Sequence, residues 1–225
     1  MNLRVSRGIV KRVLFCLLAS GAVSGWAADQ QTAFEVEFTN TNLVPSHWTL
    51  KLNPDGSGQF DADGGHPGPQ EAGQIWVGEV HRPVQLSADF TDHVFAIARM
   101  RKLFATQCES HMKVAFQGTK KFTYTGPEGT GSCEFNYSKD KEIEDLGSSL
   151  MAVEYTIVSG ARMEKLLQHD RLGLDQELEN LVSAAKDGNA IEMGAIRDTL
   201  TRIADDDQVM ERARKKARLL LAQVH

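Results

Sequence analysis

The hydrophobic period changes along this chain, and that change limits what it can fold into. From Ala33 to about Tyr137 apolar residues recur mostly at every second position; after Ser138 they recur every three or four. A period of two buries one face of a strand, and a period of 3.6 buries one stripe of a helix. The pattern predicts an α+β body: an antiparallel β-sheet of six to seven strands with one packed helix, then a C-terminal bundle of about four helices. The expected division is residues 28–138 for the sheet and its helix and 139–225 for the helical region.

In the first part Phe34, Val36 and Phe38 alternate with polar partners, as do Trp48, Leu50 and Leu52. Asn53-Pro54-Asp55-Gly56 reads as a tight turn into a strand over 58–62, because proline presets one turn position and glycine accepts positive φ. The Gly/Pro-rich stretch 64–73 reads as a loop. A further strand is expected over 75–86, bent near Pro83. Ser87 is an N-cap candidate, with Asp89 in the first turn and Phe90, Val94, Ile97 and Phe104 on one stripe, so a helix should run to about Thr106. Three more strands are expected over 113–117, 120–125 and 132–137.

Past Ser138 an apolar seam runs through Ile143, Leu146, Leu150, Val153 and Ile157 towards Leu166 and Leu167, with Gly160 as the place for a kink. Shorter helices are expected over 175–185, 190–204 and 208–222. In the last, acidic residues 205–207 precede Arg214, Lys215, Lys216 and Arg218, the order that a helix dipole favours.

The first 27 residues have the layout of a secretory signal. Arg4, Arg7, Lys11 and Arg12 form a basic leader, residues 13–22 a short apolar run, and Gly25-Trp26-Ala27 places small residues for cleavage. The apolar run is shorter than the ~20 residues needed to span a bilayer. Cleavage near Ala27 would leave a mature chain with no transmembrane segment, in the periplasm or outside the cell. Loss of the leader moves the formal charge from −5 to about −9. Neither half is basic, which argues against nucleic acid as a partner.

Cys16 leaves with the leader. Cys108 and Cys133 remain, an even pair in a chain bound for an oxidising space, and a disulfide is the expected state. The competing uses are a metal site with His111 or a free nucleophile, but no second ligand pair at zinc spacing accompanies them.

The motifs that name a reaction are missing from the sequence. Gly147-Ser148-Ser149-Leu150 falls within a helical pattern and is no hydrolase elbow. Phosphate-binding and dinucleotide fingerprints do not occur, and no cofactor is called for. The 53–64 stretch places oxygen side chains where a calcium loop would, which makes Asp55, Asp61 and Asp63 weak metal candidates. Its twelfth position, however, is Gly64 where a bidentate glutamate belongs. His47, His81 and His111 would form a site if they met at one sheet edge. Trp76 is a weak binding candidate, an aromatic whose neighbours Ile75 and Val77 claim the opposite face.

The resulting expectation is an exported, non-catalytic binding or envelope-associated protein whose partner is an unidentified protein or envelope component. The alternative is an exported hydrolase working through a histidine–carboxylate site.

Overall fold

The computed structural model describes residues 31–64 and 77–224. Ile75 and Trp76 lie outside the described residues, as does the leader. Six strands form one antiparallel sheet: β1 (Ala33–Thr39), β2 (His47–Leu52), β3 (Ser57–Ala62), β4 (Val80–Gln85), β5 (Thr119–Gly126) and β6 (Gly129–Phe135), in the order β4-β3-β2-β1-β5-β6. The alternation sets the faces. Phe34, Val36, Phe38, Trp48, Leu50, Leu52, Phe60, Phe122 and Tyr124 are almost fully buried, while the residues between them face outward. The 53–56 turn forms as expected, with Asn53 N–H donating to Ser57 O at 2.8 Å and Gly56 at φ +80°. Pro83 is tolerated because β4 is an edge strand, where a missing N–H costs no ladder bond.

The helix α1 (Ala88–Met100) covers part of the buried face, the rest being covered by the first half of the long helix that follows the sheet. Ser87 caps α1, its side chain accepting from Phe90 N–H. The helix stops at Met100, short of the expected Thr106. Lys102, Leu103 and Phe104 all take positive φ (53°, 58° and 64°) in a 3-10 turn. That left-handed reversal turns Phe104 into the core, where its ring lies 5.2 Å from Phe122 and 5.7 Å from Phe34. It also carries the chain to Cys108, which forms a disulfide with Cys133 of β6 (Cα–Cα 5.7 Å).

The strand expected over 113–117 does not join the sheet. Gly131 of β6 lies against the backbone of Leu103 and Ala105, too close for any side chain, so the exit of α1 covers the buried face of the sheet above β6.

The helical region comprises α2 (Lys141–His169), α3 (Leu174–Lys186), α4 (Arg197–Asp205) and α5 (Glu211–Leu221), with a 3-10 turn over Met193–Ile196. Asp140 caps α2 by accepting from Glu142 N–H. Helix α2 runs through Gly160 without a break over 29 residues. Gly160 instead permits close approach: a Cβ at this position would land on the Ile196 side chain. Helix α2 is shared between two cores. Ile143, Leu146, Leu150, Val153 and Ile157 pack with the sheet and α1, whereas Met163, Leu166 and Leu167 pack with α3, α4 and α5. One continuous helix thereby joins the sheet to the bundle.

Candidate functional site

A groove of about 1250 Å³ runs between the sheet's β4 edge and the helical layer. One wall is 82–87, the end of β4 and its connection to α1; the other is 190–199, the turn leading into α4. Two hydrogen-bonded links hold these walls in place. In the first, Arg82 Nη2 donates to Glu164 Oε1 at 2.6 Å, and Thr199 Oγ1 donates to the same oxygen at 2.7 Å. Strand, α2 and α4 therefore meet at one carboxylate. Arg82 Nη1 is buried against Gly160 with no hydrogen-bond partner among the described residues.

The second link explains how α1 begins. Glu192 Oε2 accepts from Ser87 N–H at 2.6 Å and Glu192 Oε1 from Ser87 Oγ at 2.7 Å. A capping box normally draws the acid for the cap residue's N–H from three residues later in the same helix. Here that position is Phe90, and Glu192, 105 residues away, takes the role. Glu192 adopts left-handed φ 58°, ψ 46°, a conformation costing a non-glycine residue about 1 kcal/mol. Its neighbour is pinned as well: Ile191 O accepts from Thr156 Oγ1 of α2 at 2.7 Å. The walls of the groove are built into the fold. Arg197 and Arg202 project into it from α4 as exposed residues, with no ion pair among the described residues. Neither histidine nor cysteine contributes to the lining.

The open face of the sheet carries a different array. Strand register aligns His81, Asp61, Thr49, Glu37, Lys121 and Glu134 in one row across all six strands. His81 is flanked by Asp61 (Nδ1–Oδ1 2.8 Å) and Glu79 (Nε2–Oε2 3.4 Å). The Asp61 hydrogen bond, and then that of Glu79, raise the His81 pKa, while the same contact lowers that of Asp61. His47 is flanked by Glu37 (3.3 Å) and Asp63 (3.6 Å). His47 and His81 are thus brought to one end of the sheet, on strands two places apart, roughly 10 Å. His111 is not with them: it lies beyond β6 with its ring beside Gln107 (3.1 Å).

The three aspartates separate along β3. Asp55 belongs to the turn, its carboxylate accepting from Ser57 N–H (3.0 Å) and Ser57 Oγ (2.6 Å), and these bonds hold its pKa low. Asp61 and Asp63 are at the opposite end of the strand, each beside a histidine. The basic residues of α5 are mostly spent on structure. Lys216 contacts Asp175 (3.0 Å) and Glu179 (2.7 Å), Arg212 contacts Asp175 (2.9 Å), and Arg218 contacts Glu211 (3.3 Å).

The groove is invisible to sequence reading because its walls come from segments about a hundred residues apart and its charged side chains follow no motif. Ser87 is the one visible signal, legible as a cap but without its distant acid. No protein-family model matches the chain, and no curated protein matches it in sequence.

Proposed function

We propose that this is an exported, non-catalytic binding protein, cleaved near Ala27, whose ligand seat is the groove between β4 and the helical layer. The observation that carries this reading is the construction of the groove. Its walls are fixed by the Arg82–Glu164–Thr199 and Ser87–Glu192 links while Arg197 and Arg202 stay unspent, an arrangement that orders the site before a ligand arrives. The Cys108–Cys133 disulfide suits an oxidising compartment. Among the described residues no helix is long and apolar enough to cross a membrane. The hydrolase alternative draws less support. Glu164 and Glu192 are each engaged by two donors, and the histidines that face carboxylates do so on the open sheet face, away from the groove.

The test is a photo-crosslinking residue at Arg197, with the same residue at Lys51 on the open face as control. In the native envelope fraction the Arg197 position should give a discrete adduct that Ala195→Trp, which fills the groove, abolishes. Equal labelling at Lys51, or an adduct indifferent to Ala195→Trp, would contradict the assignment.

A further inference from the structure

Beyond the groove, the segment 111–117 displays apolar side chains in a way that ordinary surface exposure does not explain. Met112, Val114 and Phe116 are 51 %, 40 % and 57 % exposed and share one parity in the chain. Single exposed apolar residues are common on protein surfaces. Here three lie within five residues of a backbone that is tied down at both ends.

The tethers are numerous. The Cys108–Cys133 bridge anchors the segment's start, and Ser110 N–H donates to Tyr137 O at 2.9 Å. The Glu109 carboxylate accepts from Asn136 N–H (2.7 Å), His111 N–H (3.0 Å) and Ser110 Oγ (3.2 Å), which holds its pKa low. Asn136 then acts as a one-residue substitute for a strand: its Nδ2 donates to Ala115 O (3.1 Å) and its Oδ1 accepts from Gln117 N–H (2.7 Å). At the far end Asn40 Nδ2 donates to Gln117 O (3.1 Å), and Gly118, at φ +120°, turns the chain into β5.

Asn136 serves one backbone edge of the segment. On the other, the N–H and C=O of Phe116 and the C=O of Val114 have no hydrogen-bond partner among the described residues, while Val114 N–H turns back onto Met112 O (2.9 Å), so the free edge covers residues 114–116. Alternating apolar side chains beside an unpaired edge are what an incoming strand requires. Leu43 (45 % exposed) and Val44 (39 %) extend the apolar surface at the same end of the sheet, through the loop that Asn40 ties to Gln117.

Size and charge identify the occupant. The exposed parts of these five side chains amount to roughly 300–400 Å². A folded partner or a second copy needs about 800 Å² per side for a stable complex, whereas one extended chain fits the smaller patch. Lys113 lies between Met112 and Val114 with no acidic partner among the described residues, and the adjacent acid, Glu109, is fully engaged. We propose that residues 114–116, with the Met112 side chain beside them, form a docking edge for an extended, apolar-alternating segment of a partner protein that carries acidic residues at its ends.

The probe is a labelled heptapeptide alternating valine and threonine with an aspartate at each end, titrated by fluorescence anisotropy into oxidised chain 28–225. Saturable binding is expected, at least about tenfold weaker for a lysine-ended version. Phe116→Asp should abolish it with no loss of thermal stability, and Lys113→Glu should reverse the preference between the two peptides. Absence of saturable binding, or equal binding to Phe116→Asp, would overturn the proposal. So would concentration-dependent dimerisation that Val114→Asp removes, since the occupant would then be a second copy. The groove lies at the β4 edge of the sheet and this segment at the ends of β1, β5 and β6, so Ala195→Trp should leave peptide affinity unchanged.

Discussion

Replacing both Cys108 and Cys133 with alanine tests how the exit of α1 is held to the sheet. The two cysteines are 25 residues apart. Closing a loop of that length lowers the entropy of the unfolded chain enough to stabilise the fold by about 3.5 kcal/mol. Both residues are buried, at 4 % and 8 % exposure, so losing the sulfurs adds on the order of 1 kcal/mol of lost packing. At roughly 2–4 °C per kcal/mol for a chain of this size, the double variant should melt about 10–15 °C below the parent. Calorimetry of chain 28–225 measures this, with urea unfolding alongside. Because the crosslink acts mainly on the unfolded ensemble, the urea m-value should rise when it is removed. Reducing the parent protein should reproduce most of the shift. A drop below about 2 °C, with an unchanged m-value, would mean that burial of Phe104 and the tethers of Glu109 already hold the exit and that the bridge is energetically idle.

Glu154 on α2 is half-buried, and burial drives its pKa up to about 8 against partial opposition from Arg162. A raised carboxyl leaves stability intact below the ordinary value of 4.5 and loses it as pH climbs towards 8. Glu154→Gln should therefore raise the melting temperature at pH 8–9 by several degrees and leave it unchanged near pH 4; a shift equal at both pH values would contradict the burial of this carboxyl. Gly160→Ala gains about 1 kcal/mol of helix propensity, but its methyl collides with Ile196, and overpacking of 1–3 kcal/mol should win. The melting temperature should fall; a rise would mean that α2 and the 193–196 turn are not in close contact. Ser87→Ala removes the cap on α1 and one of the two bonds to Glu192, and should cost about 1–2 kcal/mol in urea unfolding. A smaller loss when Glu192→Ala is already present would confirm that the two residues act together, and additive losses would show that they do not.

The sequence is informative wherever one local pattern decides the outcome. Alternation places β1 and β2, Asn53 to Gly56 place the hairpin of β2 with β3, and Ser87 marks where α1 begins. It misleads where a local pattern meets a distant competitor. Residues 113–117 alternate as a strand does, yet their backbone bonds to the Asn136 side chain and, at Val114, back onto Met112, where a strand would bond to a neighbouring strand. Leu103 gives no sign of left-handed backbone, because burial of Phe104 imposes that conformation from outside the segment. Gly160 looks like a helix breaker and proves to be a contact surface, which only the position of Ile196 explains. The groove depends on Glu164 and Glu192 meeting residues 82 and 105 positions away, beyond the reach of any periodicity.

Intact-mass analysis of the native protein, purified under non-reducing conditions from the extracytoplasmic fraction, tests export and oxidation at once. A polypeptide beginning at Ala28, with Cys108 and Cys133 inaccessible to an alkylating reagent after denaturation, is the expected result. Recovery of the chain still carrying residues 1–27, confined to the cytoplasmic fraction and with both thiols alkylated, would contradict it.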